Sequence, residues 1–341
     1  MPARICHVIV TDKFAGVERH TALLAVAQQR AGHDVTIIGG RPDWMAQLLA
    51  GTGVASVAGR SVLSAAVLLR TLGPWDVVNA HMTSAEAAGA LGSIRAEHTV
   101  IATRHFARRR ASRSGRSLAA SLIASTIDGQ IAVSHHVARH IDGASVVVHP
   151  GTSSRPNPRP TDLREPFVLL AQRLEVEKES EVGIRAFAQA GLHREGWRLR
   201  VAGDGAELSH LIDVAHLLGI GGSVDFLGRV MDIDGEMDRC SILIAPRSTE
   251  DFGLSVIEAM ANRLPVIAAG SAGHLETVGA ADRAALFTPG DAGQAAEQLA
   301  ESAHDVNRRT AYADELLHLQ RERFTVRRQE HATFEAYQAA M

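Results

Sequence analysis

Cysteine is almost missing from this chain: Cys6 and Cys240 are the two among 341 residues. They support neither a disulfide framework nor a zinc-type cysteine spacing. Each lies in an apolar run that reads as a buried strand, which suits a reducing compartment. No strong charge of either sign is present. A net charge of -3 exerts no global pull towards nucleic acid. No apolar run approaches the ~18–20 residues needed to span a bilayer. The start, "MPARICHVIV", enters a strand-like run at once and makes a poor signal peptide. What remains is 46% hydrophobic and 21% charged, the composition of a globular protein. The length predicts two domains, and the expected location is cytoplasmic.

Short apolar runs alternate with helical patterns. "ICHVIV" (5–10) precedes a helix over 17–33 ended by Gly32, then "VTIIGG" (35–40), "VVNAH" (77–81), "TVIATR" (99–104), "QIAVS" (130–134) and "SVVVHPG" (145–151). Apolar strands without alternation, separated by helices, imply a parallel sheet covered on both faces. Five of the eleven prolines fall from Pro150 to Pro166, a stretch that reads as a linker. The alternation then restarts with 167–172, 198–205, 224–228, 240–246 and 264–270. The expected architecture is α/β: two doubly wound, Rossmann-like domains, 1–152 and 153–321, with ligands in the cleft between them at the carboxyl ends of strands.

The stretch "STEDFGLSVIEAMA" (248–261) carries the chemistry. Glu250 and Glu258 are eight positions apart, which leaves them out of register on a helix. Glu250 therefore belongs in the loop and Glu258 in a helix starting near Leu254 or Ser255. Phe252 and Gly253 make the turn, and the amides of Gly253, Leu254 and Ser255 form an anion site of the kind that holds phosphate. The plain alternative is a capped helix with a solvated Glu258. In "AQRLEVEK", Arg173 and Lys178 occupy a strand-to-helix loop and could converge on the same anion. Balanced by Glu175, Glu177 and Glu179, they could equally be surface charges.

"RLEVEK", "VAGDGAE", "VDFLGRV" and "EDFGLSVIEAMANRLPVIA", in this order, resemble the donor-binding half of the retaining family 4 glycosyltransferases, which have the GT-B fold. "AGVERHTALLAVAQQRAGHDVTII", "IAVSHHV" and "VVVHPGT" resemble the family's first domain more loosely. The resemblance implies that Arg173 and Lys178 neutralise the diphosphate of a nucleotide-sugar, UDP- or GDP-linked. It implies that Glu258 accepts from the ribose hydroxyls and that Glu250 contacts the transferred sugar. The amides after Phe252 would hold sugar hydroxyls and phosphate, Val230 would lie near the base, and Gly16 would admit the diphosphate. Ala15 departs from the family's paired glycines. No cofactor or metal is expected, and the leaving phosphate would assist deprotonation of the acceptor. A last helix, about 322–341, would pack back on the first domain.

His105 in "ATRHFA" matches the family's histidine facing the donor sugar, with His81 in "VNAH" as competitor. His136 and His140, at i,i+4, read as a surface pair rather than metal ligands. Six arginines lie between Arg104 and Arg116, with no acidic residue from His98 to Ile127. A solvated loop is the plain reading. The functional one gives Arg104, Arg108 and Arg109 to an acceptor that is phosphorylated, lipid-linked or a small metabolite, or to an anionic membrane at the inner face. Nucleic acid is disfavoured because Phe106 alone is available for stacking. The alternatives to a transferase are a catalytically silent nucleotide-sugar-binding subunit and a GT-B phosphorylase or epimerase.

Overall fold

The computed structural model describes residues 2–11, 16–94, 96–110 and 118–341. The chain divides into two compact units, one of residues 1–151 with 326–341 and the other of residues 152–325. The first holds β1 (Arg4–Ile9), β2 (Asp34–Gly39), β3 (Ala55–Val57), β4 (Val77–His81), β5 (Thr99–Arg104), β6 (Gly129–Ala132) and β7 (Val146–Val147). They form a sheet in the order β3-β2-β1-β4-β5-β6-β7. Every pairing in it is parallel. The second unit holds β8 (Phe167–Ala171), β9 (Arg198–Ala202), β10 (Val224–Gly228), β11 (Ile242–Ala245), β12 (Val266–Ala269) and β13 (Ala285–Phe287). Their order is β10-β9-β8-β11-β12-β13, again parallel.

The apolar runs explain the architecture. All residues of β4, β11 and β12 are buried, as strands covered by helices on both faces must be. Core clusters pack both faces of the first sheet, around Ile5, Ile37 and Ile101 and around Val8, Leu69 and Val78. In each sheet the strand order reverses once, between β1 and β4 and between β8 and β11. The crevice beyond the carboxyl ends of such a strand pair is where doubly wound folds bind ligands.

Two expectations need correction, and two short strands add to the sheets. The short strands β3 and β13 were not foreseen; β3, "ASV", is exposed throughout, so it carries no burial pattern. The proline-rich stretch is not a free linker. Arg164 is 8% exposed, and its guanidinium donates to the carbonyls of Cys240 and Arg159, both at 3.0 Å, and to those of Met237 and Asn262. The returning helix begins at Val326, not near 322, because Val306–Arg323 is a separate helix of the second unit. Phe324 separates them, 1% exposed and edge-on to Phe252 at 5.7 Å. The helix Val326–Ala340 then seats Tyr337 in the first unit's core, where its hydroxyl accepts from Asn79 Nδ2 at 2.6 Å. Among the described residues, no helix is long and apolar enough to cross a membrane.

Candidate active site

In the second unit the loops after β8 and β11 meet at the reversal of strand order. The β11 loop is a chain of turns ending at Gly253, whose φ of 95° lies in the left-handed region, and the helix Leu254–Ala261 follows. At its start, Val256 N–H donates to the Gly253 carbonyl at 3.1 Å. The amides of Leu254 and Ser255 therefore precede the hydrogen-bonded ladder, at the positive end of the helix. A third segment braces this loop. Gly273 N–H donates to the Glu250 carbonyl at 2.8 Å, and Ser271 Oγ donates to the Ser248 carbonyl. A Cβ at position 273 would stand 2.5 Å from Phe252 Cα, so the brace requires glycine.

Glu250 is the electrostatic centre. Its Oε2 accepts from Lys178 Nζ at 2.8 Å and from Arg247 Nη1 at 3.2 Å. Burial alone would raise its pKa; Lys178 and Arg247 overcome that and hold it at about 2. His274, 1% exposed, faces the same carboxylate, and its Nδ1 donates to the Ala269 carbonyl at 3.1 Å. Burial lowers its pKa against the pull of Glu250. Glu179, a non-glycine residue at φ 53°, reaches from the β8 loop to the Ser248 hydroxyl and amide. It ties the two loops together.

The paired cations of the sequence separate. Lys178 reaches Glu250, whereas Arg173, 55% exposed, pairs with Glu177 at 3.1 Å. Arg247 supplies a second buried-side cation that sequence reasoning missed. Its one signal was position, three residues before Glu250. Glu258 is one turn into the helix and 8% exposed, and Phe252 is 3% exposed. Val230 follows β10 and is half-buried, and Gly16 opens the helix Gly16–Arg30, exposed. Ala15 lies outside the described residues.

In the first unit, histidines collect beside the reversal between β1 and β4. His7 Nε2 meets Gln28 Oε1 at 2.7 Å, His7 Nδ1 meets His81 Nε2 at 3.0 Å, and His81 Nδ1 meets His105 Nε2 at 2.9 Å. His20 stands edge-on to His105 at 4.8 Å between centroids. His105 and His81 are therefore partners, not competitors. Burial lowers the pKa of His7 to about 4 and of His20 to about 3, and it pushes His81 and His105 well down.

The arginine cluster is not the unpartnered set that the local sequence suggested. Arg104 is 4% exposed. Its Nε lies 3.5 Å from Glu86 and its Nη1 3.4 Å from Asp142. Arg110 pairs with both carboxylates and donates to Gln130 at 2.7 Å. Burial would raise Asp142, but Arg110 and then Arg104 hold it below the usual range. These acidic partners come from other elements, which a local scan cannot see. Arg108 and Arg109 are exposed, while Arg113 and Arg116 lie outside the described residues.

Two parallel, Rossmann-like α/β domains carrying these sites define a GT-B fold. A crystal structure of Anabaena HepE with UDP and glucose is similar at a TM-score of 0.84, with 20% identity over 99% of this chain and 100% of that one. Residues 154–315 match the family model described as glycosyl transferases group 1. An exopolysaccharide phosphotransferase of Streptomyces coelicolor is 30% identical over 154 residues, 43% of this chain and 16% of that protein. An uncharacterized glycosyltransferase of Haemophilus influenzae is 40% identical over 72 residues, 21% of this chain and 20% of that protein. The matches thus span a fifth or less of these two relatives.

Proposed function

We propose that the chain is a retaining family 4 glycosyltransferase that moves a sugar from a nucleotide-diphosphate sugar, UDP- or GDP-linked, to an acceptor hydroxyl. The observation that carries this reading is the Lys178–Glu250 pair at the carboxyl ends of β8 and β11, beside the amino end of the helix Leu254–Ala261. A cation, a carboxylate and helix amides that precede the hydrogen-bonded ladder, all at one strand reversal, suit a phosphate with a sugar attached. The HepE structure, with its UDP and glucose, supports the choice of ligand class.

In this reading Arg173, Lys178 and the amides of Gly253, Leu254 and Ser255 stabilise the departing diphosphate, a preorganised electrostatic role. Glu258 holds the ribose, Val230 the base, and Glu250 and His105 face the sugar. The anomeric C–O bond to phosphate breaks and a new C–O bond to the acceptor forms on the same face. The acceptor proton passes to the departing phosphate oxygen. Since side-chain cations supply the charge, turnover needs no divalent ion. Arg108 and Arg109, both exposed, are assigned to a phosphorylated or lipid-linked acceptor, or to an anionic membrane surface at a cytoplasmic face. An intact Glu250 favours an enzyme over a silent binding subunit.

A thermal-shift screen against UDP-, GDP-, ADP- and dTDP-sugars tests the donor class. Proton NMR of the released or transferred sugar tests retention, and both are repeated in EDTA. Absence of any nucleotide-dependent shift, an inverted anomer, or loss of turnover in EDTA that manganese restores each contradicts part of the reading.

A further inference from the structure

We propose that His20, His81 and His105 form a binding site for one divalent transition-metal ion of the zinc class in the first unit. One nitrogen from each ring lies within 4.8 Å of the others. The rings come from three elements: the helix Gly16–Arg30, the end of β4 and the segment after β5.

Hydrogen-bond direction prepares the site. Gln28 Oε1 accepts, so the Nε2 of His7 carries the proton and its Nδ1 keeps a lone pair. His81 must then donate from Nε2 at 3.0 Å, so its Nδ1 lone pair accepts from His105 Nε2 at 2.9 Å; an ion would take the place of that shared proton, with the His105 proton moving to its Nδ1. A ligand histidine whose other ring nitrogen donates to a fixed acceptor is the arrangement that orients metal-bound imidazoles. Around one tetrahedral ion with bonds of about 2.0–2.1 Å, ligand nitrogens stand roughly 3.3 Å apart. The His81–His105 separation needs to widen by only a few tenths of an ångström, and His20, whose nitrogen lies within 4.8 Å of both, must close by up to about 1.5 Å.

The state of His20 is the second observation. It is 4% exposed, and its two nitrogens share one amide nitrogen, Gln329 Nε2, at 3.5 and 3.2 Å. The amide donates to the one nitrogen that holds the lone pair, which leaves the ring N–H without an acceptor, so this buried ring is under-satisfied and can exchange the long Gln329 bond for an ion. The ligand set is all imidazole, which suits zinc, cobalt or nickel rather than magnesium or calcium. Three protein ligands leave a fourth position open. His105, at 8% the most exposed of the three, is nearest to solvent.

The test uses the full chain, stripped with EDTA and titrated with Co2+ and Zn2+ by calorimetry and visible absorption. One equivalent of four-coordinate Co2+ is expected, displaced by Zn2+. His20→Ala and His81→Ala should each weaken binding by on the order of 100-fold or more. His7→Phe, which removes the orienting acceptor, should weaken it about 10–100-fold. His136→Ala should leave it unchanged. If a variant fails to fold, as judged by circular dichroism, X-ray absorption of the wild-type Zn2+ complex decides, since three imidazole ligands are required. Uptake below about a tenth of an equivalent, or binding lost with His136 rather than His20, overturns the site. The cluster is then a hydrogen-bonded core only.

Discussion

Lys178 Nζ stands 2.8 Å from Glu250 Oε2, and the two side chains are only 15% and 16% exposed. This contact joins the β8 loop to the β11 loop, and it places both charges at the proposed reacting centre. Lys178→Ala should lower turnover by on the order of 10²-fold, because it removes stabilisation of charge that grows as the diphosphate leaves. Arg247 still holds Glu250 at 3.2 Å, so the fold should survive. Arg173→Ala should act on turnover with less effect on stability, since Arg173 is exposed. Steady-state kinetics with urea unfolding of both variants check the split. Equal losses of stability would point to a structural role for both cations.

The same contact sets a pH dependence of stability. Glu250 drops from an ordinary value of 4.5 to about 2, so between these pH values the unfolded chain binds more protons than the folded one. Stability from this group is complete above pH 4.5 and is lost as pH falls towards 2. At about 1.4 kcal/mol per pKa unit the loss is roughly 3 kcal/mol. Urea midpoints from pH 5 down to pH 2.5 should fall less steeply in Glu250→Gln than in the wild type. Parallel curves would mean that the pairing does not stabilise the folded chain.

Glu258→Ala is expected to weaken nucleotide binding by roughly 1.5–3 kcal/mol, the worth of a charged hydrogen bond. Calorimetry with UDP and GDP measures it. Unchanged affinity for whichever nucleotide the wild type binds would remove Glu258 from the donor site.

Arginines of the first unit should separate into two groups. Arg110→Ala leaves Glu86, whose side chain is fully buried, and half-buried Asp142 with Arg104 as their cation, and should cost about 1–3 kcal/mol. The double variant Arg108→Ser, Arg109→Ser should change stability by no more than about 0.5 kcal/mol per site. It should raise the acceptor KM, or reduce flotation with anionic liposomes, while the donor KM stays put. Wild-type protein that ignores liposomes, together with unchanged acceptor kinetics, would leave these two residues as solvated charge.

The α/β order, the parallel sheets and the helix after Gly253 were legible in the sequence, because a strand covered on both faces must be apolar along its length. The run "VVNAH" maps onto β4 and "TVIATR" onto β5, residue for residue. β3 escaped because its three residues are exposed, and β13 because three residues are too few to establish a period. Within the site, Glu250 and Lys178 could be singled out from motif spacing, but their contact across the sheet reversal could not. Glu86 and Asp142 neutralise Arg104 and Arg110 only because β5 lies between β4 and β6, which brings the helix after β4 and the turn after the helix following β6 to its end. Likewise, His7, His20, His81 and His105 look like four isolated histidines along the chain. Local pattern specifies which segments become strands and helices, since that depends on neighbours within a few residues. Which charges and rings meet depends on strand order and register, and so on the folded sheet alone.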